Sequence, residues 1–301
     1  MERVDFLGHP NCYRLSNGTV EVVVTTDIGP RIARYAFLGQ DNILGEHPDA
    51  VTKTELGDWK PWAGHRLWAA PEVMPRTYAP DNQPIAFQFE GDLGIRLMQP
   101  TDLTGIQKEI TVSLAPVGTG VTIHHKLTNR NYWGIDTAPW AITVMNGGGV
   151  TIIPQEPFIS HDDYLLPARP LVLWHFTNLT DPRYTLGQKY ICLRTDDALP
   201  EPTKIGVANK QGWCGYHRQG TLFVKRFDYH EGGSYPDFGS NNETYAAGAY
   251  MEIETLGPFK HLDPGESAEH IERWSLFRNV DIGTTEARME TALTPLVAQT
   301  Q

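Results

Sequence analysis

The chain has 301 residues, of which 40% are hydrophobic and 20% charged, and its 25 basic and 36 acidic residues give a net charge of −11. This composition excludes a disordered chain, and the acidic balance argues against a nucleic acid or an anionic membrane as partner. A neutral or cationic small ligand fits better, although a local basic pocket can still hold an anion.

The sequence is predicted to fold almost entirely as short β-strands. Runs of β-branched or alternating residues are separated by turn signals, and Asn17-Gly18 is typical of a tight hairpin. The predicted strands cover residues 10–16, 19–27, 31–38, 84–91, 94–99, 106–115, 119–128, 135–145, 149–153, 190–194, 204–208, 213–217, 221–228, 245–255 and 266–278. Residues 41–61 are predicted to form a loop, and residues 154–189 are predicted to be irregular apart from a short apolar run.

One helix is predicted, from about residue 285 to 296, capped by Thr284 or Thr285. About fifteen strands without alternating helices indicate an antiparallel all-β protein. Because no stretch has the composition of a linker, we expect one large two-sheet domain over residues 1–301.

Residues 250–254, with the sequence Tyr-Met-Glu-Ile-Glu, are the most informative stretch. Side chains alternate along a strand, so Tyr250, Glu252 and Glu254 should share one face, with an apolar reverse side. Two carboxylates in a row raise each other's pKa, and glutamate has low β-propensity. We therefore predict that one of them is a general base or acid acting on a sugar; the alternative is a solvated sheet face.

Two further stretches are rich in residues that recognise sugars. His65 and Arg66 stand among tryptophans in residues 62–72, and Tyr235 and Asp237 lie in a glycine-rich loop before the carboxylate strand. The alternatives are a loop packed by its own aromatic rings and an ordinary long turn.

Three single residues complete the candidate binding set: Arg31, Trp140 and Lys225. Each also has a simpler interpretation, namely a surface cation, a core tryptophan and a lysine that extends past apolar neighbours to solvent. The cations Arg31, Arg66 and Lys225 would together suit an acidic sugar.

No metal or cofactor is predicted. Cys12, Cys192 and Cys214 are widely spaced, and the pairs and triplets that contain His124 and His161 lack the spacing of a metal site. No phosphate-binding glycine loop, nucleophile elbow or Cys-His signature is present. The N-terminus has no apolar signal core and no stretch could span a membrane, so we expect a cytoplasmic protein unless a signal peptide has been removed.

Several motifs taken together resemble galactose mutarotase-like (aldose 1-epimerase-like) proteins. They are residues 13–18 (Tyr-Arg-Leu-Ser-Asn-Gly), 29–32 (Gly-Pro-Arg-Ile), 64–68 (Gly-His-Arg-Leu-Trp) and 253–255 (Ile-Glu-Thr). With Tyr235-Pro236-Asp237 and Leu256-Gly257-Pro258, the pattern looks most similar to an uncharacterised DUF4380-type branch. The resemblance covers nearly the whole chain and implies an antiparallel β-supersandwich with the ligand on the open face of one sheet.

The same resemblance implies an activity. A mutarotase needs a base for the anomeric hydroxyl and an acid for the ring oxygen, and the resemblance assigns Glu254 as the base and His65 as acid or binder. The family's second catalytic histidine corresponds to residues 137–144, where Trp140 stands and no histidine occurs. We therefore expect an epimerase or mutarotase of a sugar or acidic sugar derivative, with a non-catalytic sugar-binding protein or a glycan lyase or hydrolase as alternatives.

Overall fold

Two large antiparallel sheets account for most of the computed structural model, which describes residues 1–300. The elements, in chain order, are β1 (Glu2–Phe6), β2 (His9–Ser16), β3 (Val20–Val24), β4 (Ile32–Phe37), β5 (Glu46–His47), β6 (Thr52–Thr54), β7 (Gly57–Trp59), β8 (Trp62–Ala63), β9 (His65–Ala70), β10 (Ala86–Phe89), β11 (Gly94–Met98), β12 (Ile106–Leu114), β13 (Val121–Asn129), β14 (Ile135–Met145), β15 (Val150–Pro154), β16 (Leu171–Leu173), β17 (Tyr184–Leu186), β18 (Tyr190–Arg194), β19 (Thr203–Val207), β20 (Trp213–Arg218), β21 (Thr221–Phe227), α1 (Pro236–Gly239), β22 (Asn242–Ala247), β23 (Tyr250–Leu256), β24 (Lys260–Leu262), β25 (Ser267–Phe277) and α2 (Glu286–Val297).

The first sheet has the strand order β1-β2-β3-β4-β9-β14-β23-β22-β19-β16, and β24 pairs with part of β14. The second sheet has the order β10-β11-β12-β13-β25-β21-β20-β15-β18-β17, and two short ribbons, β5-β8 and β6-β7, lie outside both. The strands that later form the site, β9, β14, β23, β22 and β19, are consecutive neighbours in the first sheet. The predicted all-β sandwich with a short C-terminal helix is therefore confirmed.

The main core lies between the two sheets, because each strand turns its apolar alternate residues inward. Ile253 of β23 and Phe223 of β21 are both fully buried in one cluster of apolar side chains. Burying one such side chain contributes roughly 1.5–3 kcal/mol. Since Ile253 points inward, the alternation of β23 turns Glu252 and Glu254 to the outer face of the first sheet.

Two local predictions are confirmed: the alternation of buried side chains in β13 and the N-terminal cap of α2. In β13, Val121, Ile123, His125 and Leu127 are buried, whereas the residues between them are more exposed. The side chain of Thr285 accepts the backbone N–H of Arg288 at the start of α2, as predicted.

Two predicted boundaries are wrong. The single strand predicted over 245–255 is a hairpin, because Gly248 adopts a φ of +59° and turns the chain between β22 and β23. The predicted loop at 41–61 contains β5, β6 and β7, whose pairs are too short to show a period in the sequence.

No helix among residues 1–300 is long and apolar enough to cross a membrane.

Candidate functional site

A cavity of about 390 Å³ lies on the outer face of the first sheet. Its walls are mainly aromatic, and its polar lining comes from strands that are neighbours in the sheet. The lining residues include Trp59, Arg66, Trp68, Tyr78, Trp140, Trp174, Phe176, Lys204, Tyr245, Tyr250 and Glu252. The volume falls within the range of roughly 300–1,000 Å³ that is usual for small-molecule sites.

Strand register explains why these side chains meet. Arg66 of β9 lies opposite Ile142 of β14, which lies opposite Glu254 of β23, which lies opposite Glu243 of β22. Directly paired residues of antiparallel strands point to the same face, so Arg66, Glu254 and Glu243 all share the outer face.

The first of two charged groups in the site is the Glu252 group, made of Glu252, Arg66 and Tyr250. Arg66 Nη2 donates to Glu252 Oε1 at 2.7 Å, and the hydroxyl of Tyr250 donates to the same oxygen at 2.6 Å. Burial opposes the charge of Arg66, but Glu252 outweighs it and raises the pKa of that guanidinium. The group therefore holds the Glu252 carboxyl group in one orientation.

Arg66 is also fixed by aromatic rings. Its guanidinium lies 4.5 Å from the ring centre of Trp68 and 5.1 Å from that of Trp59. Within residues 1–300, Arg66 Nε and Nη1 are buried and donate no hydrogen bond. A buried donor without a partner is costly, so the ion pair with Glu252 and the two tryptophan rings have to offset this cost.

The second charged group is the Lys204 group, made of Lys204, Glu243, Glu254 and Trp140. Lys204 Nζ lies 2.7 Å from Glu243 Oε2 and 2.8 Å from Glu254 Oε2, and Trp140 Nε1 donates to that same Glu254 oxygen at 2.8 Å. Burial raises the pKa of Glu243 well above its ordinary value and also raises that of Glu254, while Lys204 opposes both shifts. Two carboxyl groups thus share one ammonium and retain affinity for a proton.

The two predicted carboxylates differ in their access to the cavity. Glu252 lines the cavity and has 12% of its side chain exposed, whereas Glu254 is fully buried beneath Trp140 and Lys204. The structure thus brings Glu252, Glu254, Arg66 and Trp140 together, and of the two glutamates only Glu252 lines the cavity.

His65 and Lys225 lie between the sheets and not in the cavity. His65 is adjacent to Arg66 in β9, so alternation points the two side chains to opposite faces. Lys225 comes from the second sheet, is fully buried, and lies 2.8 Å from Glu272. The expectation that His65 faces Glu254 as an acid or binder does not fit this placement.

The surroundings of His65 form an interior cluster of neutral and paired groups: His65, His125, His270, Lys225 and Glu272. His125 Nδ1 lies 3.0 Å from the carbonyl oxygen of His270, so it carries the proton, and His125 Nε2 accepts from His65 Nε2 at 2.6 Å. Burial lowers the pKa of His125 to about 4 and that of His270 to about 3, so both are neutral at pH 7.

The interior cluster also contains the only set of metal-type ligands found among residues 1–300, namely one atom each of His65, His125 and Glu272 within 4.8 Å of one another. Lys225 already neutralises Glu272, and the lone pair of His125 Nε2 already accepts a proton. A divalent cation would add uncompensated charge to a buried core. We therefore interpret the cluster as structural.

The remaining predicted residues also lie outside the cavity. Arg31 is buried against Asp81, with Nη1 2.5 Å from the carboxylate, and it donates to the carbonyl oxygen of Pro30. Tyr235 is buried, accepts the backbone N–H of His230 and stacks on Tyr229, whereas Asp237 lies in the short turn α1. These contacts hold loops together and do not reach the site.

Sequence reasoning missed Lys204, Glu243 and the aromatic walls. A weak signal existed, because Lys204 interrupts the apolar strand β19 and Glu243 and Tyr245 alternate in β22. Neither signal indicates that β19 and β22 lie beside β23, which only the strand order reveals.

Neither a family model nor a curated protein matches this sequence. Solved structures do resemble it. A TPR-domain containing protein from Parabacteroides distasonis is 14% identical with a TM-score of 0.60, over 91% of this chain and 49% of that protein, so this chain spans about half of its length. A galactose mutarotase-like protein from Lactobacillus casei is 11% identical with a TM-score of 0.56, over 89% of this chain and 100% of that one.

A galactose mutarotase related enzyme from Lactobacillus acidophilus is 8% identical with a TM-score of 0.51, over 90% of this chain and 98% of that one. At these identities the likeness defines the fold, which is that of the galactose mutarotase-like sandwiches. The finer DUF4380-type assignment stays a prediction. Because one fold carries several functions, the activity has to be argued from the cavity.

Proposed function

We propose that this protein binds an aldose in the outer cavity and interconverts its anomers, as an epimerase or mutarotase. The observation that carries the proposal is that Glu252 and Lys204 face one small cavity walled by tryptophan rings. Carboxylate, ammonium and aromatic wall are the three components that sugar binding with acid–base catalysis requires.

The walls suit a sugar ring. Trp59, Trp68 and Tyr78 pack edge to face with ring centres 4.7–5.4 Å apart, which fixes a rigid apolar surface. Such a surface stacks on the apolar face of a pyranose, and Arg66 lines the same cavity. A hydroxyl group both donates and accepts, so it can satisfy Arg66 and a carboxylate together.

The charges favour a neutral sugar over an acidic one. Of the three cations that suggested an acidic sugar, Arg31 and Lys225 lie elsewhere, and Arg66 is paired with Glu252. Lys204 is shared by two carboxyl groups. A uronate would therefore bring its charge to a site where carboxyl groups outnumber cations.

In the proposed mutarotation, Glu252 is the general base. Its carboxylate reaches the cavity, and Arg66 and Tyr250 hold it by hydrogen bonds. Glu252 removes the proton of the anomeric hydroxyl, the ring opens, and the aldehyde closes again on its other face. Glu254, which the family resemblance favoured as the base, acts through Lys204 in this proposal.

Sugar binding without turnover is the second candidate function. It is favoured by one observation: among residues 1–300, the lining of the cavity includes no histidine, and both of its cations are in ion pairs. This candidate shares the walls and the hydrogen bonds but predicts saturable binding with no change in anomer exchange.

The test is anomer exchange measured by NMR, with calorimetry for binding, over a panel of aldoses and uronates. Glu252→Gln keeps the shape but cannot accept a proton, so kcat should fall by roughly 10²–10⁴. Glu269→Gln is the matched control, since Glu269 is 52% exposed on the second sheet and pairs with His124.

Acceleration by the native protein that Glu252→Gln abolishes would support the mutarotase. Binding of a sugar without acceleration would contradict it and support the binding protein. Equal rates in Glu252→Gln and Glu269→Gln would refute the role of Glu252.

A further inference from the structure

We propose that Lys204 is the catalytic acid of this site, donating its proton to the ring oxygen of the bound sugar. The inference rests on the proposed function and supplies the partner that Glu252 needs. Lys204 lines the cavity, whereas the histidines of the interior cluster lie on the other side of the sheet.

Strand register places Lys204 across from Glu252. Lys204 of β19 lies opposite Tyr245 of β22, and Tyr245 lies opposite Glu252 of β23. All three side chains therefore point to the same face of the sheet. Neighbouring strands are about 4.8 Å apart, so roughly 10 Å separates the two outer backbones, and the long side chain of Lys204 crosses β22 to bring Nζ within 2.8 Å of Glu254 Oε2 on β23. The ammonium and the Glu252 carboxylate therefore line the same cavity.

Hydrogen-bond counting leaves one proton of Lys204 for the ligand. An ammonium has three N–H donors: one goes to Glu254 Oε2 at 2.8 Å, and Glu243 Oε2, an ion-pair partner 2.7 Å away, can take at most one more. The ring centres of Trp174 and Trp140 lie 4.5 and 4.8 Å from Nζ and fix its position. In this proposal the remaining N–H faces the cavity, which Lys204 lines.

The reaction balances without any further reactant. Glu252 accepts the proton of the O1 hydroxyl while the C1–O5 bond breaks. The electron pair of the C1–O5 bond goes to O5. O5 takes a proton from Lys204 Nζ, which leaves an open-chain aldehyde, a neutral amine and a protonated Glu252. After rotation about the C1–C2 bond, the same two transfers run in reverse and restore both groups.

Glu243 and Glu254 are positioning residues in this step. They hold Nζ beside the ring oxygen and stabilise its charged form between turnovers. Their own pKa values are raised by burial, and Lys204 is the cation that keeps the buried pair compatible with folding. Glu243 is therefore expected to affect the rate through Lys204 and not by contact with the sugar.

The experiment compares Lys204→Met with Lys210→Met in the anomer-exchange assay. Lys210 is the matched control, since it also lies over an aromatic ring, that of Tyr229 at 5.6 Å, but on an exposed site outside the cavity. Lys204→Met should lower kcat by roughly 10²–10⁴ with KM changed only a few-fold, and Lys210→Met should leave both unchanged.

Two additions keep the test decisive if the first variant folds poorly. Lys204→Met combined with Glu243→Gln removes one carboxyl group together with the ammonium, so less buried charge is left unpaired. In Lys204→Ala, added n-propylamine should restore anomer exchange in proportion to its concentration, because the amine occupies the vacated space and supplies the proton. A purely structural role of Lys204 would give no such rescue.

The outcomes separate this inference from the proposed function. Native acceleration with loss in Lys204→Met and rescue by the amine supports it. Native acceleration that survives Lys204→Met within three-fold overturns the role of Lys204 and leaves the mutarotase standing. A change in KM alone makes Lys204 a binding residue and also overturns the inference. Binding without acceleration by the native protein overturns both proposals.

Discussion

Replacing Lys225 by Met tests whether the interior cluster stabilises the fold, as its burial implies, or takes part in the site, as the sequence suggested. Lys225 is fully buried, with Nζ 2.8 Å from Glu272 Oε1, 2.6 Å from Thr143 Oγ1 and 3.3 Å from the carbonyl oxygen of Ile253. Methionine fills most of the space but leaves the carboxylate of Glu272 without its cation.

The expected cost follows from that unpaired charge. Removing one partner of a buried ion pair destabilises a protein by about 3–5 kcal/mol, a large part of a typical unfolding free energy of about 5–15 kcal/mol. Thr255 and Trp274 still donate to Glu272, at 2.5 and 2.8 Å, which places the estimate toward the lower end of that range.

The effect should depend on pH with a defined sign. Burial alone would raise the pKa of Glu272, but Lys225 and the neighbouring histidines outweigh it and hold that pKa well below its ordinary value. A depressed carboxyl pKa contributes stability above the unfolded pKa of about 4.3, and this contribution is lost as the pH falls further. The difference between native protein and variant should therefore be largest near pH 7 and shrink below about pH 4.

The assay is urea unfolding followed by circular dichroism, with sugar affinity measured under native conditions. Lys189→Met is the control, since its pair with Glu290 is about 45% exposed and should contribute no more than about 1 kcal/mol. Adding Glu272→Gln to Lys225→Met should recover part of the loss. A cost equal to that of the control would refute the reasoning, and a loss of sugar affinity without loss of stability would favour the role in binding predicted from the sequence.

Three other perturbations have defined outcomes. Gly64→Ala should cost more than about 2 kcal/mol in urea unfolding, because Gly64 has a φ of +57° and an added Cβ would lie 2.0 Å from the carbonyl oxygen of Ile32; near-native stability would contradict this. Trp68→Ala should weaken sugar binding about tenfold or more in calorimetry, since the ring forms a cavity wall and stacks on the Arg66 guanidinium; unchanged affinity would argue against the site. Because burial lowers the pKa values of the interior-cluster histidines, their contribution to stability is present above about pH 6.5 and is lost as the pH falls toward 4; a flat unfolding free energy between pH 7 and 4.5 would contradict their burial as neutral groups.

The carboxylate strand shows how far sequence reasoning reached. Alternation placed Tyr250, Glu252 and Glu254 on one face, and all three are found there with Ile253 buried behind them. Alternation did not indicate which of the two glutamates lines the cavity, because the exposure of each carboxyl group depends on the side chains of neighbouring strands that cover it. Trp140 and Lys204 cover Glu254 and leave Glu252 open to the cavity.

His65 shows the opposite case. Its neighbours in sequence are tryptophans and Arg66, which made a sugar site plausible for the whole stretch. Once those residues form β9, only every second side chain can reach the cavity, and Arg66 and Trp68 take that face. The sequence of β9 shows that alternate side chains point to opposite faces. Because β9 is buried on both faces, its sequence does not indicate which side chains point to the cavity and which point to the core between the sheets.

The all-β class, the N-terminal hairpin, the capped C-terminal helix and the shared face of the carboxylate row could all be predicted from sequence patterns, because each depends on residues that are close together in the chain. The remaining features depend on the arrangement of the strands in space. The order β9-β14-β23-β22-β19 brings Arg66, Glu252 and Lys204 to one cavity, and the packing of the second sheet sends His65 and Lys225 to the interior. Those outcomes depend on pairings between strands far apart in the chain, which a local period of two cannot specify.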